Sequence, residues 1–499
     1  MYAKSKGATT LGVDGLIIDV EVDVSAGLPV FDMVGMPAAM VREAKERVRT
    51  AIKNSGIMLQ QDKVTVNLAP AGIRKDSAGL DLPIAVALLA AYNIVPAIDL
   101  EKYLFIGELS LEGECRGVGG VLPMVIVARE NGIKRIVTAR SNVNEALLVD
   151  DIMVYGVNTL SELIAFLNNE NALSPAQRQE VRANSISSAD DFSDVQGQFV
   201  AKRAFEIAAA GGHNLLMSGS PGAGKTMLAR RMGSILPDMT REEALEVTKI
   251  YSIAGLLPDN GGLMTVRPFR SPHHTISTAA MIGGGAIPKP GEVSLSHNGV
   301  LFLDELPEFS RSALESLRQP LEDNEVVVAR VNGTLKFPAR IMLVSGRNPC
   351  PCSLAPSPEC TCTPAQIARY NRKLSGPLLD RFDIRIQVTR VSYKELTARK
   401  KEETSAVIRG RVVAARERQL KRFGEMKIYS NSQMSHAMLS KYCHLTDEAE
   451  EILKMSFNSL KLSARSYDRI IKVSQTIADL DGSDEIKAEY VAEALQLRT

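Results

Sequence analysis

"HNLLMSGSPGAGKTMLARRM", residues 213–232, decides the fold. A short apolar run, Leu215 to Met217, leads into Gly219, Ser220, Pro221, Gly222, Ala223, Gly224, Lys225 and Thr226, and a helical pattern follows. The spacing is Gly-x-x-x-x-Gly-Lys-Thr between a strand and a helix, the context that a phosphate-binding P-loop requires. Glycines let successive backbone N–H groups turn inward around phosphates, and the helix start adds the positive end of a dipole. Lys225 then reaches the β and γ phosphates, and the Thr226 hydroxyl ligates Mg²⁺. A Gly-rich turn that merely contains Lys-Thr would not need these flanks. The cofactors expected are ATP and Mg²⁺.

Four further stretches extend this site. "NGVLFLDELPEF", residues 298–309, delivers Asp304 and Glu305 at the end of an apolar strand, where ligands of open α/β sheets sit. Asp304 suits Mg²⁺ and Glu305 suits polarising the attacking water. "PARIMLVSGRNPC", residues 338–350, is a second buried strand ending near Asn348, whose amide would hold the lytic water or the γ phosphate. Asn-Pro by itself also reads as a turn. In "SGPLLDRFDIRIQV", residues 375–388, Arg381 is either an arginine finger or the partner of Asp380 or Asp383. In "KLSARSYDRIIKV", residues 461–473, Arg465 opens a helix and is either a nucleotide sensor or a capping or surface residue.

"RNPCPCSLAPSPECTCTP", residues 347–364, holds four of the six cysteines, Cys350, Cys352, Cys360 and Cys362. Four thiolates on one loop can surround a tetrahedral Zn²⁺. The Cys-x-Cys spacing is tighter than the usual zinc knuckle, and free thiols or a redox pair are the alternatives. Six cysteines in 499 residues do not make a disulfide framework, so reduced thiols and a cytoplasmic location are expected. No apolar run approaches the 18 or so residues of a membrane span, and the opening "MYAKSKGATTLGVDG" has no apolar secretory segment. Lys plus Arg total 59 and Asp plus Glu 58, so net charge leaves the partner open and any DNA surface must be local.

The length suggests about three domains. Residues 1–165 alternate strand and helix signals, among them a helix over "PAAMVREAKERVRTAIKNSG" closed by Gly56. Residues 166–193 are polar and read as a linker. Residues 194–390 alternate helices with apolar strands, the pattern of a parallel α/β sheet. Residues 391–499 read as helical, beginning with the charged run "SYKELTARKKEETSAVIRGRVVAARERQLKRF".

The order P-loop, Asp-Glu, Asn at a strand end, Arg, then Arg on a C-terminal helix resembles an AAA+ ATPase. It makes Asn348 sensor 1, Arg381 the arginine finger and Arg465 sensor 2. "RPFRSPHHTIS", "GGGAIPKPGEVSLSHNGVLFLDELPEF", "LRQPLEDNEVVVARVNGTLKFPARIMLV", "NPCPC" and "SARSYDRIIKVSQTIADL" are similar to the magnesium-chelatase-like branch called YifB/ComM, and the likeness covers essentially the whole chain. It implies an ATP-driven homo-oligomeric ring, hexameric, with ATP at each subunit interface. ComM proteins are associated with DNA branch migration during natural transformation, as helicases on recombination intermediates.

Within "NEVVVARVNGTLKF", residues 324–337, two β-rich runs flank Asn332-Gly333, a strong hairpin signal. The hairpin resembles one that lines the pore in related rings. Arg330 and Lys336 would then touch DNA phosphates; otherwise they are solvated surface charge. His273 and His274 are adjacent and no acidic residue is near in sequence, so a loop role is expected. "NLAPAGIRKDSAGLDLPIAVALLAA" and "FIGELSLEGECRGVGGVLPMVIVA" resemble the Lon-protease fold. Ser77 stands near that family's serine, but Val121 and Leu122 follow Gly119-Gly120 where the Lon lysine would be. A hydroxyl without its base is not an activated nucleophile, so an inactive Lon-like domain is expected. Besides the DNA motor, the sequence leaves a protein-remodelling ATPase or peptidase and a chelatase-type motor subunit as readings.

Overall fold

The computed structural model describes residues 1–75, 77–170, 173–178, 190–258, 261–285, 288–330, 333–355, 359–391, 402–424, 426, 428–459 and 462–498. Its centre is a five-stranded sheet in the order Phe269–Arg270, Gly299–Leu303, Ile341–Arg347, Leu215–Ser218, Ile384–Gln387. Every neighbouring pair is parallel. The near-continuous apolar strands follow from burial on both faces. Leu215, Met217, Val300, Phe302, Met342 and Val344 face one core, shared with helices Phe199–Gly211 and Lys225–Ile235 and with the C-terminal helices. Leu216, Leu301, Leu303 and Leu343 face the other, with Phe337 and Phe382.

A parallel sheet sends all strand ends to one edge and all strand starts to the other. The P-loop, Asp304 and Asn348 follow strand ends and gather at one edge. Arg381 precedes the strand Ile384–Gln387 and lies at the opposite edge.

The C-terminal unit contains helices Ser405–Phe423, His436–Tyr442, Asp447–Ser459, Ala464–Asp481 and Ala488–Gln496. The first part of the expected charged helix, residues 392–401, lies outside the described residues; the described helix starts at Ser405. The N-terminal unit has a mixed sheet of Tyr2–Leu11, Asp14–Ser25, Lys63–Ala69 and Val30–Val34, plus a parallel sheet of Tyr103–Ile106, Arg135–Ala139 and Met153–Val157. Helix Asp81–Ala91 is buried on every side, which its apolar sequence demands. The expected helix over residues 37–56 is present as Ala39–Asn54, with Gly56 at φ +86.

The sequence put residues 190–193 in a linker, but they pack into the ATPase unit. Phe192 is fully buried, its N–H donates to Ser405 Oγ (2.8 Å), and Arg231 Nε donates to the Asp191 carbonyl (2.7 Å). One aromatic residue in a polar stretch carries that correction. The N-terminal and ATPase units meet at helix Arg241–Ala254. The buried Glu145 carboxylate accepts from Leu122 N (2.8 Å) and from Ser252 Oγ on that helix.

Candidate functional site

Gly222 and Gly224 sit at φ +76 and +92, and helix Lys225–Ile235 begins at once. Lys225 Nζ donates to the carbonyls of Gly219 (2.6 Å) and Ser220 (3.1 Å) and to Asn348 Oδ1 (3.1 Å). Asn348 and Lys225 are thus brought together from separate strands. Burial pulls the Lys225 pKa down, opposed by the Asp304 and Glu305 carboxylates. Thr226 Oγ1 donates to Asp304 Oδ2 at 2.6 Å. A hydroxyl and a carboxylate at that distance form the hard oxygen donor set that Mg²⁺ takes. Gly346 lies between these groups. A Cβ there would stand 2.7 Å from Asp304 Oδ1 and 3.6 Å from Lys225 Cε, so any side chain at this position would press on the Asp304 carboxylate.

Glu305 has φ +51 and its N–H donates to Asp304 Oδ1 (3.0 Å). A left-handed backbone at a non-glycine residue is the kind of local strain kept at functional sites. Its carboxylate is about half exposed and lies 3.6 Å from His274 Nδ1. The His273 and His274 rings pack 4.1 Å apart, and His274 meets the edge of Phe309. The sequence showed no acidic partner for these histidines. Glu305 is that partner, 31 residues on, and only the fold brings it near.

Arg381 and Arg465 do not join this group. Arg381 Nη2 pairs with Glu322 Oε2, and Arg465 Nη2 lies 3.5 Å from Glu322 Oε1. The sequence offered Asp380 or Asp383 as Arg381 partners; the partner is Glu322 instead. Asp383 is occupied by Asn214 N (3.1 Å) and Arg469 Nε (3.3 Å). The Arg381 carbonyl accepts from Asn214 Nδ2 (2.9 Å), at the start of the strand whose far end is the P-loop. The four-residue strand Leu215–Ser218 separates Asn214 from Gly219, five steps of about 3.3 Å or about 16 Å. Neither arginine was legible as an ion-pair partner of Glu322, because residues 59 and 143 apart meet only through the sheet.

The four clustered cysteines converge. Their sulfurs lie within 4.8 Å of one another, with Cys350–Cys352 at 3.3 Å, Cys352–Cys360 at 3.5 Å and Cys350–Cys360 at 3.7 Å. Backbone N–H groups of Cys352 and Ala355 point at Cys362 Sγ (3.4 Å) and Cys350 Sγ (3.3 Å). Donors aimed at sulfur favour thiolates, as a metal centre needs. The cluster is a group of four thiols that could hold a metal ion, and it begins two residues after Asn348.

The hairpin forms, Glu325–Arg330 against Gly333–Pro338, with Arg330 opposite Gly333. Its turn residues 331 and 332 lie outside the described residues. Lys336 is exposed and pairs with Glu325 on the facing strand (2.7 Å). The turn after the first N-terminal strand leans on the hairpin, since a Cβ on Gly12 would be 3.4 Å from the Lys336 carbonyl. In the N-terminal unit Ser77 Oγ accepts from Gly79 N (3.1 Å). The nearby Lys75 is fully buried, and its ammonium donates to the Gly35 (2.7 Å) and Pro70 carbonyls. Burial lowers its pKa. Asp76, between them, lies outside the described residues.

The description "Magnesium chelatase, subunit ChlI" matches residues 191–396, "Subunit ChlI of Mg-chelatase" residues 20–142, and "Magnesium chelatase, subunit ChlI C-terminal" residues 402–498. Competence protein ComM of Haemophilus influenzae is 43% identical over 494 residues, covering 98% of this chain and 96% of its own length. YifB of Escherichia coli is 43% identical over 489 residues, covering 98% and 95%. DNA repair protein RadA of Listeria monocytogenes is 33% identical over 112 residues, 22% of this chain and 24% of its own. A P-loop, an Asp-Glu strand and an Asn-tipped strand at one edge of a five-stranded parallel sheet, followed by a helical C-terminal unit, agree with these matches. The chain belongs to the YifB/ComM family of magnesium-chelatase-like AAA+ ATPases.

Proposed function

We propose that this chain is an ATP-hydrolysing motor that forms a ring, six copies round, and moves on DNA as a helicase or branch-migration factor. One observation carries the reading. Lys225, Thr226, Asp304, Glu305 and Asn348 gather at one sheet edge, while Arg381 and Arg465 converge at the other. An arginine that far from its own P-loop serves catalysis only in a second copy's site. In this account residues 219–226 cradle the phosphates, Lys225 holds the β and γ phosphates, and Thr226 and Asp304 hold Mg²⁺, which supplies charge neutralisation between them. Glu305 accepts the proton of the attacking water and Asn348 orients that water. Arg381 and Arg465 of the adjoining copy bind the charge that develops on the transferred phosphoryl group.

The DNA assignment rests on the likeness to a protein named for competence, on the partial likeness to one named for DNA repair, and on the basic hairpin. Binding through Arg330 and Lys336 would be led by phosphates, tolerant of sequence and weakened by salt. The N-terminal unit is taken as Lon-like and without peptidase activity, since Lys75 is committed to carbonyls and Ser77 to a turn. It braces the hairpin instead. A chelatase-type motor subunit is the second reading, favoured by the three family descriptions. ATPase activity with and without forked or four-way DNA, coupled to strand displacement, decides: DNA should stimulate hydrolysis, and stimulation by unfolded protein alone would remove the helicase reading.

Cys350, Cys352, Cys360 and Cys362 are proposed to hold one structural Zn²⁺. It fastens the loop behind Asn348 and takes no part in hydrolysis. Metal analysis should find one zinc per chain, lost on Cys350→Ser together with several degrees of thermal stability. A zinc-free wild-type protein of full stability would end this assignment.

A further inference from the structure

We propose that Glu322 is an internal stand-in for the terminal phosphate of a neighbouring copy's ATP. It holds Arg381 and Arg465 together in the unassembled chain and gives them up when a ring closes. This rests on the reading that both arginines act on a neighbour's nucleotide. Each carboxylate oxygen takes one guanidinium, Oε2 from Arg381 and Oε1 from Arg465. The side chains come from distant parts of the chain and share no other acid among the described residues. Arg469 is committed to Asp383 and Lys472 to the Ser432 carbonyl (3.0 Å). Arg381, Arg469 and Lys472, with Glu322, line one cleft of about 350 Å³, and Arg465, 59% exposed, reaches Glu322 from outside that lining.

The chemistry of the exchange is simple. Carboxylate and phosphate both accept the planar fork of a guanidinium, and phosphate carries more charge and more oxygens. The Glu322 side chain is half exposed, so its ion pairs are weak and replaceable. Arg381 is different. Its side chain is only 9% exposed and its buried Nε has no partner. It lines the cleft with Glu322 as its acid. Glu322 therefore competes with an incoming phosphate for the two arginines.

The position of Glu322 adds a consequence. It lies in the turn Pro320–Asp323, and the hairpin strand starts at Glu325. Asn324 between them has φ +57, and its carbonyl accepts from Ala339 N (2.8 Å) at the far end of the hairpin. Loss of the two arginines would loosen the turn from which the hairpin springs. Nucleotide in one copy is thereby coupled to the hairpin of the next.

The test uses the full-length chain and four variants, three single and one double, with ring formation followed by sedimentation and ATPase kinetics measured against ATP concentration. Glu322→Gln should lower the ATP concentration for half-maximal assembly, and KM with it, by roughly three- to tenfold, while kcat changes little. Glu322→Asp keeps the charge and should restore most of the wild-type dependence. Arg381→Ala should bind ATP yet fail to hydrolyse it, and adding Glu322→Gln to it should have a much smaller effect than in the wild type. If Arg381→Ala is inactive but Glu322→Gln leaves assembly unchanged or weakens it, the stand-in is wrong and the neighbour reading survives. If Arg381→Ala hydrolyses ATP at the wild-type rate, both fall.

Discussion

Glu305 is the residue on which hydrolysis turns in this account. Its strained backbone and its half-exposed carboxylate place it beside Asp304, clear of the Lys225 ammonium's own hydrogen bonds. Glu305→Gln keeps the shape and removes the base, so it should bind ATP normally and lose about 10²- to 10⁴-fold in single-turnover hydrolysis. A rate equal to the wild type would reassign the base. The P-loop, Asp304, Glu305 and Asn348 were legible because each is fixed by its own local pattern of apolar strand and turn. Gly346, His274 and Glu322 were not. Their meaning lies in atoms from distant parts of the chain, 2.7 Å from Asp304, 3.6 Å from Glu305 and 3.5 Å from Arg465.

At the scale of elements, the strand Ile384–Gln387 matters most, because it sets Arg381 at the foot of the sheet. Asp383 fixes it. Burial alone would raise the Asp383 pKa, but His213, Arg469 and the Asn214 N–H hold it at about 2. The folded pKa is below that of an unfolded aspartate, near 3.8. The stabilisation is therefore complete above pH of about 4 and is lost as the pH falls towards 2. It amounts to about 2 kcal/mol. Asp383→Asn should lower stability at neutral pH by that order and flatten the acid limb of the unfolding curve between those values. An unchanged curve would mean that other groups fix the strand. The apolar strands of the ATPase unit announced themselves as unbroken runs such as "VLFL" and "IMLV". The first strand, Tyr2–Leu11, did not. It is rich in Lys, Ser and Thr, and it is a strand because Asp14–Ser25 offers ten paired positions after a two-residue turn.

For the whole molecule, the sheet sets Arg381 and Arg465 at the edge opposite the P-loop, and the proposed ring rests on that opposition. Order along the chain predicted the roles, but the opposition of the two edges appears only when all five strands are parallel. The N-terminal unit reaches the ATPase unit through Glu145 and the hairpin through Gly12, contacts that no local pattern signals. The composite site is tested by mixing two inactive variants, Lys225→Ala, which lacks the phosphate lysine, and Arg381→Ala, which lacks the arginine offered to a neighbour. Where the two alternate, an intact P-loop of one meets an intact Arg381 of the other. The account predicts that the mixture regains a substantial part of wild-type ATPase activity although each variant alone has none. A mixture as inactive as its components, in rings shown to contain both, would contradict it.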